Sequence, residues 1–344
     1  MKKPLASYMD RSPEVRLSLG DRLLRVLVDA AIYVANPRLV LIFHKRLGYW
    51  PRPALPQRCN EKYMWRKIFE RDPRHVELAD KLAAKAYVQR HCPQVRVPAL
   101  YWAGDDPDEI PNAVLAGDCV VKANHGSGMN QIVQRGDVDR EALRKKARGW
   151  LRTTFGNKHD ERHYRRIKPR LFAEQLLLEG GVPAKPTYRF HTSGGTCHYV
   201  YVRLEDEDGT TREAALDRDG NPRVVLIDSW EMGIALERPA GWDDMLAIAE
   251  KMAAAFDLVR IDLHLVDGEV WFSEYTFTAG AGYAWIDDPE LMRALNRAWD
   301  IRRSWFLSTP QKGLAGFYAR RLRAWLETAE AVADNAGSRL PVRV

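Results

Sequence analysis

Cysteine is scarce in this chain of 344 residues, and the four present, Cys59, Cys92, Cys119 and Cys197, stand too far apart for a CxxC pair or any other metal-ligand spacing. That excludes a zinc ribbon or a disulfide framework and leaves reduced, partly buried thiols, as expected in a reducing compartment. Uninterrupted apolar runs are also lacking: Asp10, Glu14, Asp21, Asp29 and Arg38 break the apolar stretches near the N-terminus before they reach bilayer-spanning length. Nor does this region follow a signal peptide's order of basic region, apolar core and small-residue cleavage site, so the expected location is the cytoplasm. The nine histidines form no nucleophile or metal cluster. There is no GxxxxGK[ST] phosphate loop, no internal repeat and no low-complexity tract.

What is there reads as a globular protein, 46% hydrophobic and 29% charged, long enough for two or three lobes at ~100 to 200 residues each. The net charge of +7 favours anionic partners without choosing among nucleotides, nucleic acid, acidic sugars and a membrane surface. Residues 1 to 57 form an amphipathic helical arm closed by the proline-rich WPRPALP. An apolar helix face is ordinarily buried on the protein's own body; the alternative, suggested by arginines beside Leu, Val and Ile, is an anionic membrane surface. Helical patterns follow from Asn60 to about Arg90, with Asp72-Pro73 as a break, near 139 to 152, over 242 to 256 and through most of the chain beyond the last hairpin. TYRFHTSGGTCHYVYVRLE reads as a hairpin turning at Ser193-Gly194-Gly195, and LVRIDLHLVDGEVWFSEYTF as another. Mixed elements joined mostly by hairpins predict an α+β fold over a doubly wound parallel sheet.

In the second hairpin Val259, Ile261, Leu263 and Leu265 alternate with Arg260, Asp262 and His264, so one face is core and the other charged. A two-residue turn at Asp267-Gly268 would pair Asp262 with Ser273 and send Glu274 to the opposite face. A three-residue loop, Val266 to Gly268, would pair Arg260 with Glu274 and Asp262 with Phe272, putting Arg260, Asp262, Glu274 and Thr276 on one face. That register makes a Mg²⁺ and phosphate site; otherwise the face is a solvated ion-pair surface. VVKANHGSGMN places Lys122 at a strand end before Gly126, Ser127 and Gly128, where an ammonium and free N–H groups can meet one anion, or where the chain simply turns. His125 within it could reach phosphate or be an ordinary loop histidine. Lys81 and Lys85 lie one turn apart on a helix, a pattern usually belonging to a solvated face. AEQLLLEG offers Glu174, strand backbone and Glu179 to a nucleotide, or is a buried strand ending in a turn.

In order, WRKIFERDPRHVELADKLAAKAYVQRHCP, VVKANHGSGMN, HYRRIKPRLFAEQLLL, TYRFH and VRIDLHLVDGEVWFSEYTFTAGAG resemble an ATP-grasp enzyme, most closely the TupA-like family associated with bacterial polysaccharide biosynthesis, over about Glu61 to Glu290. The resemblance implies an ATP-grasp fold with ATP held between two α+β lobes: 58–115 leading in, 116–182 carrying the phosphate flap, 183–300 carrying the metal hairpin, and 301–344 as a helical tail. It implies that Lys85 and Lys122 contact phosphates under a flap of Gly126, Ser127 and Gly128. Glu174 with the backbone of Gln175 to Leu177 would receive adenine and Glu179 the ribose. Arg189 would reach phosphate or acyl phosphate, Arg260 would stabilise developing charge, Asp262 and Glu274 would bind Mg²⁺, and the loop through Gly280 and Gly282 would face the acceptor. Thr276 stands where many relatives have a metal-binding Asn, and Thr187 where an acid is usual.

The implied chemistry is an ADP-forming carboxylate–amine ligation through an acyl phosphate, with ATP and Mg²⁺ as cofactors and small-molecule, saccharide-linked acids and amines, such as a uronic acid and an amino acid, as substrates; nucleic acid is no partner. A sugar kinase could use the same site. A glycosyltransferase would need a DxD-like pair, for which DED at 206–208 is the sole candidate.

Overall fold

The computed structural model describes residues 17–184, 186–205, 211–223, 225–227, 230–232, 236–284, 286 and 288–337. The acidic triplet at 206–208 and the first 16 residues of the arm lie outside them. The chain divides into two units, one drawn from Met1–Arg71, Leu226–Trp230 and Gly280–Val344, the other from Asp72–Val225 and Glu231–Ala279.

The first unit is helical. Helix Leu19–Ala35 starts at Ser18, whose hydroxyl accepts the Asp21 N–H at 3.1 Å. It stops at Asn36, because the residue before Pro37 is driven out of the α region. Helix Pro37–Leu47 resumes at a bend of 100°. Ile32, Leu39, Val40, Phe43 and Leu47 close a core with Met64 and Tyr283, so the arm's inner face is buried as the ordinary rule expects. Its outer face is not: Leu19, Leu23, Val26, Leu27 and Val34 are exposed. Helix Cys59–Phe69 is fastened at its start by buried Glu61, whose carboxylate accepts the N–H groups of Arg52, Gln57 and Arg58 at 3.0 to 3.2 Å.

The second unit contains α1 (Pro73–Ala79), α2 (Lys81–His91), β1 (Leu100–Gly104), β2 (Cys119–Ala123), β3 (Asn130–Val133), α3 (Arg140–Leu151), β4 (Leu171–Gln175), β5 (Thr187–Ser193), β6 (Thr196–Glu205), β7 (Thr211–Leu216), β8 (Pro222–Arg223), α4 (Trp242–Ala253), β9 (Leu258–Val266) and β10 (Glu269–Thr276). They make a four-stranded sheet, β1-β4-β2-β3, and a six-stranded sheet, β8-β7-β6-β5-β9-β10. Every pairing in both is antiparallel, the α+β arrangement that hairpin connections predict. One face of the larger sheet carries the core: Phe190, Val200, Val202, Ile261, Leu263 and Phe272 pack under Trp242, Met245 and Ala249 of α4. The four cysteines are buried and unpaired.

Neither expected register of the β9–β10 hairpin is the one formed. The turn is the two-residue Asp267-Gly268, with φ of 51° and 76°, the left-handed pair of a type I′ turn, and it pairs Val266 with Glu269. On that register alone Glu274 would face away from Asp262. An extra residue in β10, Ser273, intervenes between the pairs Leu263–Phe272 and Asp262–Glu274, and this β-bulge returns Glu274 to Asp262's face. The backbone of Arg96 flanks the bulge, donating to Val270 and accepting from Phe272 at 2.9 and 2.8 Å. The bulge is visible in the burial phase: Val270, Phe272, Tyr275 and Phe277 are all core, spaced two, three and two apart.

Trp242, fully buried, also donates its indole N–H to the Arg218 carbonyl at 3.1 Å. Trp242→Ala is expected to cost ~3 to 5 kcal/mol, measured by urea unfolding followed with far-UV circular dichroism. A loss under 1 kcal/mol would show that α4 does not anchor the sheet.

Candidate active site

The charged face of the larger sheet is built by register. Arg189 of β5 pairs with Asp262, and Arg260 and Asp262 of β9 pair with Thr276 and Glu274 of β10, so five polar side chains share one surface. Arg260 grips Asp262 with two hydrogen bonds, 2.6 Å from Nε and 2.7 Å from Nη2, and reaches Glu274 at 3.1 Å. Arg189 stands 3.6 Å from Asp262 with its guanidinium 5.0 Å over the Tyr201 ring. The Thr276 hydroxyl donates to Glu274 at 3.2 Å. The outer oxygen of Glu274 is held by Lys81.

Lys81 is the site residue that reading the sequence missed. The helical pattern does not run unbroken from His75: Asp80 interrupts it, extended at ψ 113°, and caps α2 by accepting the Leu82 N–H at 2.9 Å. Lys81 and Lys85 therefore open a new helix. Lys85 is no solvated surface group; its ammonium lies 2.6 Å from Glu174 with the side chain 9% exposed. Lys122 reaches the other oxygen of Glu174 at 2.5 Å. Lys122 and Val120 share a face of β2, and Glu174 pairs with Val120, so the smaller sheet presents a carboxylate flanked by two ammonium groups. Both oxygens of Glu174 are thus engaged by lysines, and in the strand end that follows the Gln175 N–H donates to the Ala99 carbonyl and the Leu177 carbonyl accepts the Ala184 N–H, each at 2.8 Å.

Asn124 was also missed. Buried, it donates to Asp80 and to the Lys168 carbonyl at 2.9 and 3.1 Å and accepts the Arg170 N–H at 2.8 Å, while its own carbonyl accepts the Lys81 N–H at 3.0 Å. It fastens the flap to the helix that carries the lysines. The flap, 124–129, joins β2 and β3. A Cβ on Gly126 would come within 2.7 Å of Phe155, Gly128 has φ 74°, and Ser127 and Gly128 are exposed. His125 is buried, within 3.2 Å of the Asn124 side chain and 3.1 Å of the Thr153 carbonyl, so it braces the flap from behind.

A cavity of 480 Å³ opens between these groups, lined by Lys122, the flap, Gln175 to Leu177, Arg189, Asp262 and Glu274, a size that suits a nucleotide-sized ligand. Lys85, Arg260 and Thr276 stand behind Glu174, Asp262 and Glu274 and do not themselves line it, and neither does Glu179, which sits on an exposed two-strand turn with Gly180 and Gly181. Gly282 belongs to the helical unit, where a Cβ would come within 2.5 Å of Tyr63, a packing reason for its small size. Among the described residues no three His, Cys, Asp or Glu side chains converge on a metal position. Two carboxylates and a hydroxyl on one face nevertheless suit Mg²⁺, which keeps waters and shares phosphate oxygens rather than filling an all-protein cage.

Burial raises the carboxyl of Glu274, but Lys81 and Arg260 outweigh it and carry it down to about 2. Burial likewise raises Glu174, and the charges of Lys122 and Lys85 hold it below the ordinary range. Asp262 moves up, through burial first and the charge of Glu274 besides, despite Arg260. Lys85 is lowered by burial against the pull of Glu174. His264, half-buried beside the cavity, falls to about 4 through burial and the nearby Lys122. A histidine held neutral in the fold but free to charge when unfolded contributes its full stability above pH 6.5 and loses it as pH falls towards 4. His264→Gln is therefore expected to flatten the decline of unfolding free energy between pH 6.5 and 4 by up to ~1.4 kcal/mol per pH unit, read from urea titrations across that range. Equal slopes in the two proteins would refute it.

The sequence profile of the TupA-like ATP-grasp family matches residues 61–296. No curated protein sequence matches the chain. Among solved structures it is similar to the ATP-grasp ligase PsnB bound to its minimal precursor, at 14% identity and a TM-score of 0.35 over 74% of this chain and 62% of that one. It is similar to D-alanine–D-alanine ligase from Bacillus anthracis, at 14% identity and 0.39 over 76% and 70%, and to phosphoribosylamine–glycine ligase from Thermotoga maritima, at 15% and 0.36 over 60% and 50%. The chain thus spans less than two thirds of the PsnB chain. The profile match takes in well over half of the sequence, and with it the chain belongs to the TupA-like ATP-grasp family.

Proposed function

We propose that the protein is an ATP-dependent, ADP-forming carboxylate–amine ligase acting in the cytoplasm on saccharide-linked acids and amines of bacterial surface polysaccharide, with a uronic acid as the carboxylate. The observation that carries this reading is the pairing across one cavity of a lysine-flanked Glu174 with the Arg260–Asp262–Glu274 cluster. Lys85 and Lys122 would bind the nucleotide's phosphates, with Ser127 and Gly128 closing over them. The strand backbone of Gln175 to Leu177 would take the adenine edge, and Glu179 would need movement of its turn to meet the ribose. Mg²⁺ held by Asp262 and Glu274, with Thr276 as a neutral third ligand, would supply charge neutralisation on the transferring phosphoryl group.

The reaction runs from the substrate's carboxylate oxygen to the γ-phosphorus, releasing ADP, and then from an amine nitrogen to the acyl carbon, releasing phosphate. Arg260 and Arg189 would face the charge that builds on the phosphoryl oxygens and the acyl phosphate, already oriented by Asp262 and so requiring little reorganisation. Lys81, paired with Glu274, would be a third phosphate-side cation if that carboxylate turned to a metal. No enzyme side chain would be acylated on this route.

Incubation with ATP, Mg²⁺ and pools of uronic acids and amines, followed for ADP, AMP and product mass, tests the reading. ADP with an amide is expected; a stable phosphate ester would make the protein a sugar kinase, and nucleotide-sugar consumption without ATP turnover would defeat both. Lys122→Ala and Glu274→Gln are each expected to lower turnover by at least ~10³-fold with the thermal transition retained. Deleting Ser273 is expected to do the same by reversing Glu274, whereas Ser273→Ala, which keeps the bulge, leaves turnover within a few-fold of the parent. Full activity in the deletion would show that the two carboxylates need not share a face.

A further inference from the structure

We propose that the helix pair Leu19–Ala35 and Pro37–Leu47 is a docking surface for an anionic lipid bilayer, on which it lies flat. In the first helix, Leu19, Leu23, Val26, Leu27 and Val34 are between 54% and 83% exposed, at spacings of four, three, one and seven, and Ala30 and Ala31 between them are exposed too. These positions form one helical face. Ile32 and Val28, further round the helix, pack in the core, and Arg22, Arg25 and Asp29 occupy the polar side, so the apolar stripe is wider than the part the protein covers. Contiguous apolar surface of this kind marks an interaction site. Leu41 and Trp50 extend the patch beyond the bend, at 59% and 53% exposure.

The charges around the patch choose the occupant. Arg22, Arg38, Lys45 and Arg46 are exposed on its margins. The segment's two acids, Asp21 and Asp29, are engaged inward: Asp21 with Arg321 at 2.8 Å and the Ser18 hydroxyl at 2.7 Å, and Asp29 with the Ala54 N–H at 2.8 Å. An apolar stripe edged by cations alone complements lipid tails below anionic headgroups. A second copy across a twofold axis would set those cations against their own kind. Crossing the bilayer is excluded for this pair by its packing, because Leu39, Val40, Phe43 and Leu47 are held in the protein core. Among the described residues no single helix is long and apolar enough to span.

Flotation of the full-length protein with vesicles of equal parts phosphatidylglycerol and phosphatidylcholine tests this directly. Binding is expected at low salt, with a loss of at least ~10-fold on vesicles of phosphatidylcholine alone or in high salt. Leu23→Ser with Leu27→Ser is expected to lower partition at least ~10-fold while the thermal transition is kept or raised, and Arg38→Glu with Arg46→Glu to lower it on the anionic vesicles only. Failure of the parent to float, or equal flotation of the Leu23→Ser/Leu27→Ser protein, would overturn the proposal. So would a lipid-free dimer, seen by analytical ultracentrifugation, that the same two substitutions split. Vesicle binding is read without ATP or acceptor, so its outcome is independent of the ligase reading.

Discussion

Charge imbalance governs the site. In its ion-pair network Lys81, Lys85, Lys122, Arg189 and Arg260 face Glu174, Asp262 and Glu274, leaving cationic charge in excess in a partly desolvated cleft. Each carboxylate is fixed by the cations it offsets, and each cation beyond that balance is available to an anion. His264 and His191 do not relieve the excess by charging, because burial and the neighbouring cations hold both low. Such an excess is costly in a partly desolvated cleft and would be offset by a bound polyanion. Tight buried ion pairs usually contribute little net stability, so the network is better understood as a means of orienting side chains than as a source of folding energy.

That orientation depends on two backbone devices. One is the bulge at Ser273, without which the type I′ turn would divide Asp262 from Glu274. The other is the break at Asp80, which ends α1 and begins α2 so that Lys81 and Lys85 open a fresh helix, one facing Glu274 and the other Glu174. Asn124 ties this break to the flap and to the start of β4. The two sheets thus receive their charged groups from segments distant in sequence, and the same asparagine that positions the flap also positions the lysine helix.

Much of this was legible in the chain. The strand alternation in 258–265 put Arg260 and Asp262 on one face, and the hairpins identified an antiparallel α+β fold. The order of segments pointed to the family. What failed did so for tertiary reasons. The register of β10 is set partly by the backbone of Arg96, almost 180 residues away from Ser273, which no turn rule includes. The shift in apolar spacing from Phe272 to Tyr275 was present in the sequence, but a period-two reading treats it as noise. Lys81 was left to a solvated helix face, and Lys85 was separated from it only by the family resemblance, because charge at helical spacing looks the same whether it meets water or a buried carboxylate. His125 read either as a phosphate contact or as an ordinary surface-loop histidine; the structure makes it neither, burying it against Asn124 and the Thr153 carbonyl.

The N-terminal helices make a complementary point about pattern and environment. Their hydrophobic periodicity is strong enough to predict a buried face, and a buried face exists, formed around Phe43 and Met64. Periodicity cannot reveal how much of a wide apolar stripe the protein itself covers, because the pattern is the same whether the stripe meets core or solvent. Only accessibility separates the side that the protein covers from the side that it leaves to a partner. An arm that is anchored in its own core, bent by 100° and edged by cations has the features of a surface-lying element. Its exposed leucines, left uncovered by the described residues of that unit, are the ones that the proposed bilayer contact would use.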